Sequence, residues 1–326
     1  MSFEIKDLAG LSQPLTKLIE VVSAAVGAHY RPKGMRAEAD ARAYEIKALS
    51  RAEAEAAVEA RSIETAAVAD RIQSILRSHP ELAERAKQRL LAREVEGQLN
   101  VESIADFAAQ ALPPAVSQAP VSSNWRRKFF LEAESVCEED LQLLWGKLLA
   151  GEVAAPGAFS LRTLDTLRQL SRAEAELFRQ ACAISMNDGW IAIPGFDLNS
   201  SLKPFGLTYS DILTLRDSGL VLDGDQIHKD FRPSEPFAES AKHSVVTFNN
   251  GVQIEVSGPL SPALQIPALV FTNAGQELQR LMEPSETPAY LSALGVAMRQ
   301  RGLVAKRGTP IPQADGVSII TFEQDL

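Results

Sequence analysis

Leu11, Leu15, Leu18, Val22 and Ala25 recur at intervals of four and three, which places them on one stripe of a helix capped by Ser12 and carrying Pro14 in its first turn. Gln13, Lys17 and Glu20 fall off that stripe. Such a face packs on the protein's own helices, docks on a partner or lies on a membrane. The polar side is short of Lys and Arg, which favours packing. After the break at residues 30–34, the run from Met35 to about Leu76 holds no Gly or Pro and mixes both charge signs, as in Glu38/Arg42 and Arg51/Glu55. It predicts one long helix with a heptad-like seam of Ile46, Leu49, Ala56, Ala60, Ile63 and Ala67. A seam so rich in alanine suits either a projecting coiled-coil helix that self-associates or one long member of a bundle. His79-Pro80 ends it; a second helix runs from Glu81 to about Glu96, and a shorter one follows Asn100 through Ala111.

Residues 113–123 are rich in Pro and Ser and read as a linker. Trp125 opens a helix that is expected to continue through Cys137 into residues 141–152, because Cys137, Leu141, Leu144 and Leu148 keep helical spacing. Pro156-Gly157 forces a turn, Ser160 caps the next helix, and Ser171 with Glu174 forms a capping box for another. From Asn187 onward Gly, Pro, Asp and β-branched residues take over. Residues 189–193 predict a strand, Thr208 with Asp211 a capped helix ended by Gly219, and Asn249-Asn250-Gly251 a hairpin between residues 244–248 and 252–256. This order is that of a winged helix. A similar order recurs with a strand at 268–271, a Thr272-capped helix, a helix from Thr287-Pro288 to about Arg301, and a hairpin of 303–306 with 317–322. The predicted fold is an α-rich N-terminal part, long helix plus compact helical domain, followed by an α+β domain with winged-helix-like units. Its segments are 1–112, a linker at 113–123, a helical domain at 124–186 and an α+β domain at 187–326.

Composition narrows the class. The 326 residues are 45% hydrophobic and 23% charged, which excludes disorder as an overall description. The net charge of −9 is uneven: residues 1–112 carry −2, residues 113–185 carry −1 and residues 186–326 carry −6. Phosphate binding needs local cations, so the acidic half speaks against nucleic acid as its partner. Cys137 and Cys182, both in apparently helical stretches, read as buried free thiols of a cytoplasmic protein. Residues 1–10 lack the features of a signal peptide, and no apolar run is long enough to span a membrane.

Residues 15–20, the charged Ala-rich helix, the motif Leu141-Gln-Leu-Leu-Trp145-Gly-Lys-Leu-Leu-Ala-Gly-Glu152, then Pro156-Gly-Ala-Phe-Ser-Leu-Arg162-Thr-Leu and Leu170-Ser-Arg-Ala-Glu174-Ala-Glu-Leu-Phe178 together resemble a family of uncharacterised bacterial proteins. The central piece is also similar to the abortive-infection alpha proteins of bacterial phage defence. The resemblance implies a bacterial cytosolic protein with a defence role and supplies no catalytic residues.

The residues with chemical interest are few. Glu152 and Arg162 suit a helix-to-helix ion pair that fixes the intervening turn. Arg126, Arg127 and Lys128 beside aromatics, and Arg299, Arg301, Lys306 and Arg307 across a helix end and a wing, are candidates for phosphate or partner contact. Leu11, Leu15, Leu18 and Val22 are the candidate membrane or partner face. His29, His79, His228 and His243 have no neighbours at metal-ligand spacing, and no phosphate loop, dinucleotide fingerprint or nucleophile elbow is present. Asp223-Gly224-Asp225 lacks the later ligands of a calcium loop. These observations predict a non-catalytic interaction and oligomerisation protein without cofactor or metal, whose partner is another protein or a second copy. A winged-helix DNA-binding regulator, a peripheral membrane protein and an unrecognised hydrolase or nuclease stand as alternatives.

Overall fold

A computed structural model describes residues 12–26, 30, 74, 78–195, 197–198, 200–224, 227–231, 243–258, 264–283, 285, 287–312 and 318–326. The expected long helix between Met35 and Leu76 lies outside the described residues, apart from residue 74. The chain divides into two compact units, Met1–Phe159 and Ser160–Leu326. The boundary falls inside the stretch 124–186 that its pattern suggested was one helical domain.

Four helices of the first unit are described: α1 (Gln13–Val26), α2 (Pro80–Ala111), α3 (Ser123–Ala133) and α4 (Glu139–Ala154). Leu18 and Val22 of α1 are fully buried and Leu15 is half-buried, against helices α2, α3 and α4. The expected interruption at Asn100 is absent, and α2 runs unbroken for 32 residues. Asn100 has another use for its side chain. Its Nδ2 donates to the Glu134 carbonyl at 2.9 Å, and its Oδ1 accepts from Gln142 Nε2 at 3.1 Å. Gln142 Nε2 also donates to the Val136 carbonyl at 2.8 Å, while its Oε1 accepts from Ser103 at 2.8 Å. A buried amide pair therefore replaces the cap, and each member is satisfied as burial requires. Gly146 brings α4 against α2: a Cβ there would lie 2.5 Å from Phe107 Cβ.

The continuous helix expected from Trp125 to residue 152 is in fact two. α3 closes through Ser135 N–H to the Glu132 carbonyl and Val136 N–H to the Ala133 carbonyl, and α4 restarts with Glu139 and Asp140 in its first turn, where carboxylates complement the helix dipole. Trp125 stacks on Phe129 at 5.0 Å, and Phe129 meets Trp145 at 5.1 Å, so an aromatic cluster joins α3 to α4. The Pro/Ser-rich stretch expected as a linker is tied down: Lys17 Nζ donates to the carbonyls of Ser117 (2.5 Å) and Ala119 (2.8 Å), Ser117 N–H donates to the Ala154 carbonyl, and Val121 is buried.

The second unit begins with α5 (Leu161–Gln169) and α6 (Arg172–Ala183), then β1 (Trp190–Ala192), α7 (Tyr209–Asp217), β2 (His228–Phe231), β3 (His243–Thr247), β4 (Gln253–Ser257) and β5 (Leu264–Val270). α8 (Asn273–Gln279), α9 (Pro288–Arg299), β6 (Val304–Pro312) and β7 (Ser318–Asp325) complete it. Local signals are realised as written. Ser160 caps α5, Ser171 with Glu174 and Thr208 with Asp211 form full capping boxes, Thr272 caps α8, and Gly219, Gly251 and Gly302 adopt positive φ. Hydrogen bonds from Ser171 hold the Glu174 carboxyl below its ordinary pKa despite partial burial, with a further bond from Ser218.

Strand partnership differs from expectation. β1, β5 and β2 form one antiparallel sheet in that order, and β3, β4, β6 and β7 form another. The hairpin β3–β4 is present, with Thr247 opposite Gln253, but β4 pairs onward with β6, Val256 opposite Ala305. The two hairpins that seemed to belong to successive units share one sheet, while β2 joins β5 in the other. The unit is mixed α+β, and the strands expected to form two winged-helix-like units are instead shared between its two sheets. Tyr290 fastens α9 to β1 by donating to the Ala192 carbonyl at 2.6 Å, and Gln279 Nε2 binds Ser185 Oγ and the Met186 carbonyl.

Candidate functional site: the outer face of α3

α3 buries Trp125, Phe129, Phe130 and Ala133 and leaves Asn124, Arg127 and Leu131 outward; Glu134 at its C-cap and Ser135 in the turn that follows are also exposed. Leu131, at 65% exposure, is the most open of the exposed large apolar residues described. It stands at the rim of a cleft of about 340 Å³, whose lining includes Val26 of α1, Arg93, Glu94, Glu96 and Val101 of α2, and Cys137 in the turn before α4. The cleft wall is closely packed. Gly97 lets α2 approach so closely that a Cβ there would meet Glu134 Cβ at 3.3 Å, and the Glu134 carbonyl is held by Asn100. Charge changes sign along the chain here, with Arg126, Arg127 and Lys128 ahead of Leu131 on α3, Glu132 and the C-cap Glu134 just after it, and Glu138, Glu139 and Asp140 where α4 begins.

Cys137 is exposed, contrary to the buried thiol expected from its spacing, because it lies in the turn and not in a helix. Its Sγ lies 3.7 Å from Glu96 Oε1 and 3.6 Å from Asn100 Nδ2. Cys182 is buried, and desolvation raises its pKa. Native protein should therefore titrate one of its two thiols with a disulfide reagent and the second only after unfolding; two fast thiols would refute the buried site.

The remaining sequence candidates are dispersed. Arg126 and Lys128 are half-buried while Arg127 is open. Glu152 is 1% exposed, and its two carboxylate oxygens accept from the N–H groups of Gly157 (2.8 Å) and Phe159 (3.1 Å), so it shapes the turn through the backbone. Arg162 is exposed on α5. Arg299 and Arg301 are exposed at the end of α9, where burial of part of the guanidinium lowers the Arg301 pKa. Lys306 lies in register between Glu255 of β4 and Asp325 of β7, and Arg307 between Ile254 and Gln324. Carboxylates on both sides of Lys306 oppose phosphate binding there. Leu11 lies outside the described residues.

Among the described residues, no three His, Cys, Asp or Glu side chains group closely enough to hold a metal ion, and no helix is long and apolar enough to cross a membrane. Sequence reasoning missed Leu131, Glu134 and the exposure of Cys137. The usable signal was angular: Leu131 falls off the stripe that Trp125, Phe129 and Ala133 define.

Residues 84–192 match the model of a family described as a protein of unknown function (DUF2806). The matched stretch runs from α2 to β1 and includes the α3 face and the central motif. It supports an uncharacterised family. No curated protein and no solved structure matches the chain.

Proposed function

We propose that this protein works by contact: a non-catalytic interaction and oligomerisation protein whose first unit provides the binding surface. The observation that carries this reading is apolar side chains on the outside of otherwise charged helices. Leu131 on α3 and Val95 and Leu99 on α2 are 65%, 37% and 58% exposed, and α2 buries no residue before Gly97. About four and a half turns of α2 thus stand largely open, and Val95 and Leu99 follow one another by one turn on its exposed side, an apolar pair available to a partner. The resemblance of the central motif to the abortive-infection alpha proteins supports a setting in phage defence.

Sedimentation equilibrium over a wide concentration range tests the reading. The expected result is a mass that rises above the 35.4 kDa of one chain as concentration increases. A single species of that mass throughout would remove self-association and leave only a foreign protein as partner. Challenge of expressing cells with phage tests the setting: unchanged plaquing across a diverse panel would remove the defence role.

A further inference from the structure

We propose that the outer face of α3 is a two-fold self-association surface, on which the α3 helices of two copies of this chain lie antiparallel about Leu131. The inference rests on the contact reading above and names the occupant of that surface.

The argument starts from the order of charges. Arg127 precedes Leu131 by one helical turn and Glu134 follows it by nearly one, and all three are exposed. At about 100° per residue, Arg127 and Glu134 lie about 40° and about 60° to the same side of Leu131. Lys128 lies about 60° to the other side. A two-fold axis perpendicular to α3 at Leu131 reverses position along the helix but keeps each residue on its own side. It therefore sets Arg127 of each copy against Glu134 of the other, and leucine on leucine. Such an interface is isologous and closed, so it ends at a dimer. Parallel pairing would set Arg127 against Lys128 of the other copy and leave Glu134 without a cation opposite it. A phosphate on this face would meet the Glu134 carboxylate on the same side as Arg127. The second copy is the occupant that answers both halves of the charge pattern. Pre-organisation adds to it, since Glu134 is braced by Gly97 and Asn100 of α2.

The test uses the full chain and two charge reversals at exposed positions, Arg127→Glu and Glu134→Arg. Each variant alone opposes like charges twice per dimer and should weaken association about tenfold or more. Mixing the two variants should restore it, because the mixed dimer again pairs opposite charges at both contacts; the double variant should recover as well. Circular dichroism confirms that each variant is folded. Wild-type protein that stays monomeric overturns both this surface and the self-association reading. A dimer indifferent to both reversals, or single variants that fail to recover on mixing, overturns the α3 surface and leaves the contact reading standing.

Discussion

Trp145→Ala should lower the unfolding free energy by about 3–5 kcal/mol, measured by urea denaturation followed through far-ultraviolet circular dichroism. Trp145 is 1% exposed and its ring lies 5.1 Å from Phe129, which itself stacks on Trp125. The indole is the piece through which α4 holds α3, and its neighbour Gly146 holds α2. Truncation would leave a cavity that Phe129 and Trp125 cannot fill without dismantling their own contact. Against a total stability of about 5–15 kcal/mol, a loss of this size should bring the first unit close to unfolding at physiological temperature. A change under about 1 kcal/mol would show that α3 is held by other means.

Gly275→Ala should be destabilising by about 1–3 kcal/mol, although a glycine-to-alanine change inside a helix ordinarily stabilises. A Cβ at this position would lie 2.3 Å from the Leu220 carbonyl oxygen and 3.1 Å from Phe271 Cβ. The obstacle is backbone, which cannot step aside as a side-chain tip can. The same contact region carries the latch of α8: Thr272 N–H donates to the Leu220 carbonyl, Thr272 Oγ1 to the Gly219 carbonyl at 2.7 Å, and Gly275 N–H to Thr272 Oγ1 at 3.0 Å. Pushing Gly275 outward breaks the cap and the latch together. A thermal midpoint unchanged or raised in the variant would refute the close approach.

What could be read from the sequence was whatever the chain decides within a few residues. The Ser171/Glu174 and Thr208/Asp211 boxes, the Asn249-Asn250-Gly251 turn and the stop at Gly302 each rest on a hydrogen bond or a torsion confined to one turn, and each is present. Choices made over distance were hidden. That β4 pairs with β6, some fifty residues on, follows from no pattern in either strand, since alternation sets which face is buried and not which neighbour is bonded. Asn100 resembled a helix cap because an exposed asparagine prefers that place; only the amide of Gln142, forty-two residues later, makes it a good interior residue. Cys137 misled for the opposite reason. Its spacing to Leu141 and Leu144 continued a helix that Ser135 and Val136 had already closed. At the candidate site, the charge order of α3 was visible, but the openness of Leu131 depended on where three other helices stood.

The attachment of residues 113–123 bears on how this protein can be cut into parts. A proline- and serine-rich stretch invites truncation, and dividing the chain there would separate α1 and α2 from α3 and α4. Yet Lys17 binds two of its carbonyls, Ala154 accepts one of its N–H groups and Val121 sits in the interior. Such a division would strip α1 and α2 from α3 and α4 and split the Asn100–Gln142 pair between its products. The smallest fragment able to keep the first unit's interior whole must carry this stretch intact between its two pairs of helices, and loss of binding by any shorter piece would report unfolding, not the location of the binding surface.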